Sequence, residues 1–239
     1  MRKTYLILLI LAFFACNNSK PAQKPFVSSP PPKPGWKTIN LHDFVIDVPD
    51  YFTLKFEKGI DSQPGSLKGK DFDLSFDYGW YCDTLVMSEQ EYIRRGWWKE
   101  EAIIRFVNST LHPNIDDRKT QLTQIRPCNK SDSAFARGCD FIAACTYKKD
   151  KFKLPIFIPQ EVKNHIVKLD TIQRHYRRLI MPKKGLKGIT GIYMRKQEAH
   201  MFSGISANAI VMDAHNLSEA QQALAKEIFL TLRPKVKSK

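Results

Sequence analysis

Alternating apolar and polar residues between Phe72 and Tyr78 form the clearest structural pattern in the chain. Phe72, Leu74, Phe76 and Tyr78 occupy every second position, so in an extended segment they share one face. Aspartates and a serine fill the intervening positions, which is typical of the solvent side of a half-buried strand. The pattern therefore predicts a strand that packs on a core through one side only.

Further extended segments are predicted along much of the chain after Trp36. The run at 44–49 is apolar and closes with a proline, as short strands often do. Residues 162–180 fit a helix or two strands, and strands are favoured because Pro182 and the following glycines punctuate the sequence like hairpin turns. Other extended segments are predicted at 52–56, 119–126, 134–147, 189–194 and 201–212, with a turn-rich loop at 59–70.

A capping box that begins at Ser88 predicts a central helix. Glu91 stands three residues after the serine, the spacing at which the two side chains cap each other's backbone N–H groups. Gly96 weakens the middle of this helix by about 1 kcal/mol relative to alanine. The residues expected to face the core are Tyr92, Ile93, Trp97, Ile103, Ile104 and Val107.

A second capping box predicts a helix close to the C-terminus. Ser218 is followed by Gln221, and an apolar stripe runs through the next three turns before Pro234. Many strands with one central and one C-terminal amphipathic helix predict an α+β fold, in which a mainly antiparallel sheet is flanked by these helices.

The N-terminal segment predicts export and lipidation. Met1-Arg2-Lys3 precedes an apolar run that ends at residue 15, well short of the roughly 20 residues that span a bilayer. Residues 1–15 are therefore interpreted as a lipoprotein signal peptide. Cys16 resembles the cysteine of a bacterial lipobox, which implies acylation by chains such as palmitate and anchoring in a membrane. Simple secretion is the alternative.

Composition then divides the remaining chain. Residues 16–35 are rich in proline, lysine and serine, which is typical of a disordered tether. Residues 36–234 are long enough and apolar enough for a single domain. Residues 235–239 form a basic tail. The formal charge is +14, and removal of Arg2 and Lys3 with the signal lowers it by two.

Such a charge favours anionic neighbours. In a cell envelope these are lipid headgroups, glycans or acidic proteins, whereas nucleic acid is not an expected partner. The densest basic segment supplies the candidate anion-binding residues, and the alternative is a solvated sheet face whose charge only maintains solubility. The candidates are Lys163, Lys168, Arg174, Arg177, Arg178, Lys183, Lys184 and Lys187.

Four cysteines lie beyond the lipidation site: Cys82, Cys128, Cys139 and Cys145. An oxidising compartment permits disulfides, but the spacing does not determine which cysteines pair. In a continuous strand, Cys139 and Cys145 would lie about 20 Å apart, so that pair is the least expected. Four buried thiols and one disulfide with two free thiols both remain compatible with the sequence.

No motif of catalysis, metal binding or cofactor binding is recognised, so no catalytic residue, metal ligand or cofactor is assigned. Asp213 and His215 could offer two ligands, but surface positions are favoured. Asp73 and Asp77 are expected on the solvent face of their strand, which argues against a paired-carboxylate or calcium site. Trp80 shares the parity of Phe76 and is expected to extend the core rather than stack on a sugar.

Several short motifs resemble a lipoprotein family of Bacteroidota-type bacteria. They are FVIDVP at 44–49, GIDS at 59–62, FDYGWY at 76–81, GITGIY at 188–193 and NLS at 216–218. The opening strand and closing helix are also similar to Mog1/PsbP-like domains, which implies a binding role. In related lipoproteins, acidic residues after the lipidated cysteine favour surface export. Asn17-Asn18-Ser19-Lys20 has none, which implies the periplasmic leaflet of the outer membrane.

Together these observations predict a lipid-anchored cell-envelope protein. The expected role is a non-enzymatic binding or assembly module with a basic face that contacts an anionic lipid, a glycan or an envelope protein. A hydrolase acting on envelope glycan or lipid is the alternative, and it would need a cleft that gathers ionisable residues. A purely structural subunit would instead expose an apolar patch.

Overall fold

The computed structural model describes residues 32–108, 115–197 and 208–235. They belong to a compact unit that begins at Pro32. The predicted signal peptide at 1–15, Cys16, most of the 16–35 tether and all but the first residue of the basic tail lie outside the described residues. Within those residues, no helix combines the length and apolar character needed to span a bilayer.

Strands predominate in the described residues, with four short to medium helices. The strands are β1 Trp36–Leu41, β2 Phe44–Pro49, β3 Thr53–Phe56, β4 Ser62–Lys68, β5 Asp73–Gly79, β6 Gln121–Pro127, β7 Phe141–Tyr147, β8 Asp150–Ile156, β9 His165–Ile172, β10 His175–Pro182, β11 Ile189–Lys196, β12 Ala209–His215 and β13 Arg233–Pro234. The helices are α1 Glu89–Arg95, α2 Trp98–Ile103, α3 Gln160–Asn164 and α4 Glu219–Leu230.

Seven strands form a central sheet in the order β3-β4-β5-β12-β11-β10-β9. Every neighbouring pair in this sheet is antiparallel. Two further antiparallel sheets have the orders β1-β2-β13 and β6-β7-β8. The predicted α+β class with mainly antiparallel sheet is confirmed.

One face of the central sheet packs against β1, β2 and α4. Because directly paired residues share a face, Phe76, Met212, Ile192 and Leu179 project from the same side of four successive strands. They form one core with Phe229 of α4 and with buried residues of β1 and β2. Residues of α4 and of the central sheet therefore share one apolar cluster.

The opposite face of β9 and β10 belongs to a second core. Ile180 and its cross-strand partner Val167 project from this side. Ile180 packs with Ile103 of α2 and Leu154 of β8, and Val167 lies at the margin of the same cluster. The β6-β7-β8 sheet and α2 therefore cover one end of this face.

Both predicted capping boxes begin helices. The Ser88 hydroxyl accepts a hydrogen bond from the Glu91 backbone N–H at 3.2 Å. The Ser218 hydroxyl accepts from the Gln221 backbone N–H at 3.3 Å, and the Gln221 side-chain oxygen accepts from the Ser218 backbone N–H at 2.9 Å. The reciprocal bond is absent at α1 because the Glu91 carboxylate binds arginines instead.

The central helix is interrupted where the sequence predicts a continuous one. Gly96 adopts φ 70° and ends α1 as a left-handed cap, a conformation that glycine adopts without a Cβ penalty. The break changes which residues face the core. Trp97 and Ile104, both expected inside, are 62% and 57% exposed, whereas Trp98 is buried.

Residues 59–70 contain strand β4, so the expected loop is wrong. Gly65 lies so close to β5 that a Cβ atom there would be 2.3 Å from the Phe76 ring. The Pro64 carbonyl accepts from the Glu57 N–H, on the side away from β5. Its missing N–H therefore removes no bond to β5, and turn-forming residues are tolerated within this strand.

The cysteines adopt one of the two predicted arrangements. Cys128 and Cys139 form a disulfide with their Cα atoms 6.1 Å apart. Cys82 and Cys145 are free and buried, and burial raises the pKa of each thiol to about 11. One disulfide with two free thiols is therefore the arrangement found.

Candidate functional site

The eight candidate basic residues occupy different parts of the region around β9 and β10. Lys163 lies in α3, Lys168 in β9, Arg174 in the β9–β10 turn, Arg177 and Arg178 in β10, and Lys183, Lys184 and Lys187 in the β10–β11 turn. The two turns lie at opposite ends of β10, an eight-residue strand that spans about 26 Å. The eight residues therefore do not form one continuous surface.

Arg178 is part of the interior. Its guanidinium contacts both carboxylate oxygens of Glu91 at 2.8 and 2.7 Å and donates to the Thr84 carbonyl at 2.9 Å. Arg95 also donates to Glu91, at 2.7 Å. Only 9% of Arg178 and 7% of Glu91 is exposed. This residue links β10 to α1, and its guanidinium is held by Glu91 and the Thr84 carbonyl.

Burial alone would raise the pKa of Glu91. Hydrogen bonds and charge from Arg178, together with those from Arg95, outweigh burial and lower the pKa below its ordinary value. Glu91 is consequently ionised at neutral pH. Glu91 thus pairs with two cations, the buried Arg178 and the exposed Arg95.

Two other candidates form ion pairs nearer the surface. Arg177 donates to both carboxylate oxygens of Asp170, at 2.8 and 2.6 Å. That bidentate contact lowers the pKa of Asp170. The Lys163 ammonium lies 2.6 Å from a carboxylate oxygen of Asp140. These partners offset much of the local positive charge.

The β10–β11 turn combines three of the other five candidates with an apolar side chain, while Lys168 lies in β9 and Arg174 in the β9–β10 turn. Residues 183–187, here called the basic turn, have the sequence Lys-Lys-Gly-Leu-Lys and are all exposed. None of the three lysines forms an ion pair with any described residue. Leu186 is 40% exposed among them. The basic turn thus presents three available ammonium groups around a leucine.

Neighbouring backbone and a buried histidine hold the base of the basic turn. The Lys183 N–H donates to the Asn164 carbonyl at 2.7 Å. The Ile189 N–H donates to His165 Nε2 at 2.9 Å, so the other ring nitrogen carries the proton in the neutral ring and donates to the Glu161 carbonyl at 2.6 Å. Both nitrogens of His165 are therefore occupied.

A shallow cavity of about 270 Å³ lies on one face of β9, β10 and β11. It is lined by Leu169, Asp170, Tyr176, Arg177, Arg178, Tyr193 and Arg195. Burial raises the pKa of Tyr193, and the adjacent Arg195 opposes that shift. The walls are mostly apolar and aromatic with guanidinium groups among them, which suits a flat or anionic small molecule better than proton-transfer chemistry.

The other sequence candidates are separate from the basic turn. Asp213 lies 3.0 Å from His215 Nε2, and burial raises the pKa of its carboxyl although His215 opposes this. Asp73 is paired with Lys68, whose hydrogen bond lowers the Asp73 pKa. In the described ranges, no three His, Cys, Asp or Glu side chains are grouped so as to hold a metal ion.

The aromatic residues after Phe76 do not all extend the core. Strand β5 ends at Gly79, so Trp80 leaves the strand and is 56% exposed. Tyr78 donates to Asp43 at 2.7 Å and accepts from Asn208 at 2.6 Å. Burial, aided by the bond to Asp43, raises the Tyr78 pKa to about 12.

Sequence reasoning missed the acidic partners that remove three cations from the site. Strand alternation places Arg178 on the same side as Ile180, but Tyr176 shares that side and is 56% exposed, so alternation does not by itself predict burial. The pairing with Glu91 joins residues 87 positions apart and has no local signal. Leu186 has a signal in the sequence, because it is the apolar residue within a run of lysines.

Comparisons with protein families and with curated proteins identify no relative of this chain. A scan against protein-family models and a search of curated proteins found no match.

Proposed function

We propose that this chain is a non-enzymatic, lipid-anchored binding domain of a bacterial cell envelope, on the periplasmic leaflet of the outer membrane. In this proposal Cys16 carries the anchor and the basic turn contacts an anionic partner. The observation that carries the proposal is the group of three exposed lysines without carboxylate partners in the described structure. Cations that are already unpaired lose no protein contact when they bind an anion.

The proposed scaffold is a central sheet flanked by the central helical region on one face and by the closing helix on the other. Phe229 and Ile228 of α4 support one side of this arrangement because they are fully buried in the first core. Ile103 and Trp98 of α2 support the other side because they belong to the second core. Such a scaffold would present the basic turn in a fixed position.

The hydrolase alternative receives less support from the geometry. Glycan hydrolysis commonly needs two carboxyl groups on opposite sides of the scissile bond. Asp170 supplies the one carboxyl group among the residues that line the cavity on β9–β11, and it is held by Arg177. The residues around that cavity therefore favour binding over acid–base cleavage.

Retention on an immobilised polyanion tests the binding proposal. Heparin is a suitable probe because it presents dense negative charge without lipid. We expect the triple variant Lys183→Gln/Lys184→Gln/Lys187→Gln to elute at clearly lower salt than the unaltered protein, because each removed cation weakens the salt-sensitive attraction.

The β7–β8 hairpin offers a matched control with the same loss of charge. Lys148, Lys149 and Lys151 are also exposed, and their triple replacement by glutamine should leave the elution close to that of the unaltered protein. Equal effects of the two triple variants would show that only net charge matters and would contradict a site at the basic turn.

A further inference from the structure

Leu186 gives the basic turn a second kind of chemistry. Its side chain is 40% exposed and stands between Lys184 and Lys187. A soluble polyanion such as a glycan offers charge but no apolar phase to receive this leucine. A lipid surface offers both, because anionic headgroups attract lysines while the headgroup–acyl boundary accepts apolar side chains.

The basic turn also lies at the same end of the central sheet as the start of the folded chain. In the first small sheet, Trp36 pairs with Pro49, and the Pro49 carbonyl accepts from the Phe52 N–H. Strand β3 follows at once, and Thr53 pairs with Lys68 at the end of β4. The chain therefore enters the domain next to this end of the sheet.

The same end continues across the sheet to the basic turn. Lys68 pairs with Asp73 at the start of β5. On the next strand His215 lies two residues beyond the last β12–β5 pair and pairs with Ile189, the first residue of β11. Ile189 directly follows the loop that holds the basic turn. The chain start and the basic turn therefore lie at the same end of the central sheet.

We propose that the basic turn docks on anionic phospholipid headgroups of the membrane that carries the anchor, with Leu186 entering the interface. The inference rests on the proposed function, because an anchor at Cys16 joins the folded unit at Pro32, and the strands that follow begin beside this end of the sheet. The anchor and the basic turn then make two contacts, and together they fix how the domain stands on the bilayer.

The supports of the basic turn make this contact rigid. Gly188 lies against the buried His165 ring, where a Cβ atom would be 2.4 Å from Nε2. The Lys183 N–H donates a hydrogen bond to the Asn164 carbonyl. Since the backbone is already ordered, docking costs little conformational freedom beyond that of the lysine side chains.

Vesicle binding tests the inference without the lipid anchor. The mature chain from residue 16 onward, carrying Cys16→Ser, is mixed with vesicles of phosphatidylcholine alone or with 30% phosphatidylglycerol, and bound protein is measured by sedimentation. Each lysine near an anionic surface adds about 1 kcal/mol. We therefore expect the triple glutamine variant of the basic turn to bind the anionic vesicles about 100-fold more weakly.

Two further variants separate the lipid contact from general charge. Leu186→Gln keeps every lysine and should weaken binding about fivefold through the lost apolar contact. The triple glutamine variant of Lys148, Lys149 and Lys151 should weaken binding by less than about threefold. All proteins keep the same N-terminal segment, so its contribution to binding is common to them.

The outcomes distinguish the inference from the function on which it rests. Loss of heparin retention together with loss of vesicle binding in the basic-turn variant supports both. Retention on heparin that depends on the basic turn, with equal binding of all variants to the two vesicle types, overturns the lipid inference and leaves a glycan or acidic protein as the partner. Unchanged binding of Leu186→Gln overturns insertion of the leucine.

Discussion

Glu91 carries a negative charge at a position that is only 7% exposed, between the guanidinium groups of Arg178 and Arg95. A buried ion pair contributes little net stability over a well-packed apolar pair, but removal of one partner leaves an uncompensated charge inside the protein. Here the remaining charge would be that of Arg178, which links β10, the strand next to one edge of the central sheet, to α1.

Glu91→Gln should therefore lower the free energy of unfolding by about 3 kcal/mol. Urea denaturation at neutral pH measures this change. Glu101→Gln is the matched control, because Glu101 forms an exposed pair with Arg105 one helical turn away, and such pairs contribute about 0.5 kcal/mol or less. Similar losses in the two variants would contradict the role of burial.

The same pair predicts a pH dependence with a defined sign. The folded-state pKa of Glu91 is lowered, so its stabilising contribution is complete above the unfolded value of about 4.3. It is lost as the pH falls through the folded-state pKa. The stability difference between the unaltered protein and Glu91→Gln should therefore shrink below about pH 4.3, and a constant difference would contradict this assignment.

Among the elements, the segment between β6 and β7 depends on a covalent link. Cys128 and Cys139 are separated by 11 residues and enclose the short 3₁₀ turn Lys130–Ala134. Closing a loop of this length restricts the unfolded chain, which corresponds to about 3 kcal/mol in the loop-entropy description. Few large apolar residues lie within it, so the bond substitutes for a local core.

The double variant Cys128→Ala/Cys139→Ala should lose about 3 kcal/mol of unfolding free energy. Thermal or urea denaturation with and without a reducing agent measures the effect. Reduction should destabilise the unaltered protein and leave the double variant unchanged, which makes the variant its own control. Equal sensitivity of both proteins to the reducing agent would argue against this disulfide.

Local patterns predicted the elements whose signal lies within a few residues. The alternation in β5 and the two serine caps succeeded because strand faces and helix starts are set by neighbouring side chains. Strand β4 was missed because Pro64 and Gly65 suit turns in isolation and are tolerated only by the geometry of β3 and β5. The pairing of β12 with β5 joins distant segments, and no local signal specifies it.

At the scale of the whole molecule, two apolar cores lie on the two faces of one sheet. Strands β10 and β11 contribute side chains to both cores, so packing on either face holds these two strands in place. The sequence revealed a segment rich in cations, but it did not reveal which of these cations pair with distant carboxylates and which stay exposed. Long-range pairing with Glu91 and Asp140 assigns Arg178 and Lys163 to structural roles, and three lysines of the basic turn remain available.

The proposed membrane attachment belongs to the scale of the whole chain. If Cys16 carries the anchor, we expect the unaltered protein to sediment with the membrane fraction and Cys16→Ala to be recovered in the soluble fraction, because the basic turn alone would provide only weak, salt-sensitive binding. Washing the membranes with high salt should leave the unaltered protein bound. Recovery of both proteins in the soluble fraction would contradict the anchor.

The burial of Cys82 and Cys145 has a consequence for the order of oxidative folding. Their thiols have pKa values of about 11, and thiolate is the species that attacks a disulfide. Once the cores have formed, these two sulfurs are withdrawn from exchange, and Cys128 is left with Cys139 as its partner. A chain that collapses before it meets an oxidant should therefore reach the native bridge directly, whereas one oxidised while unfolded would depend on an isomerase to correct its pairing.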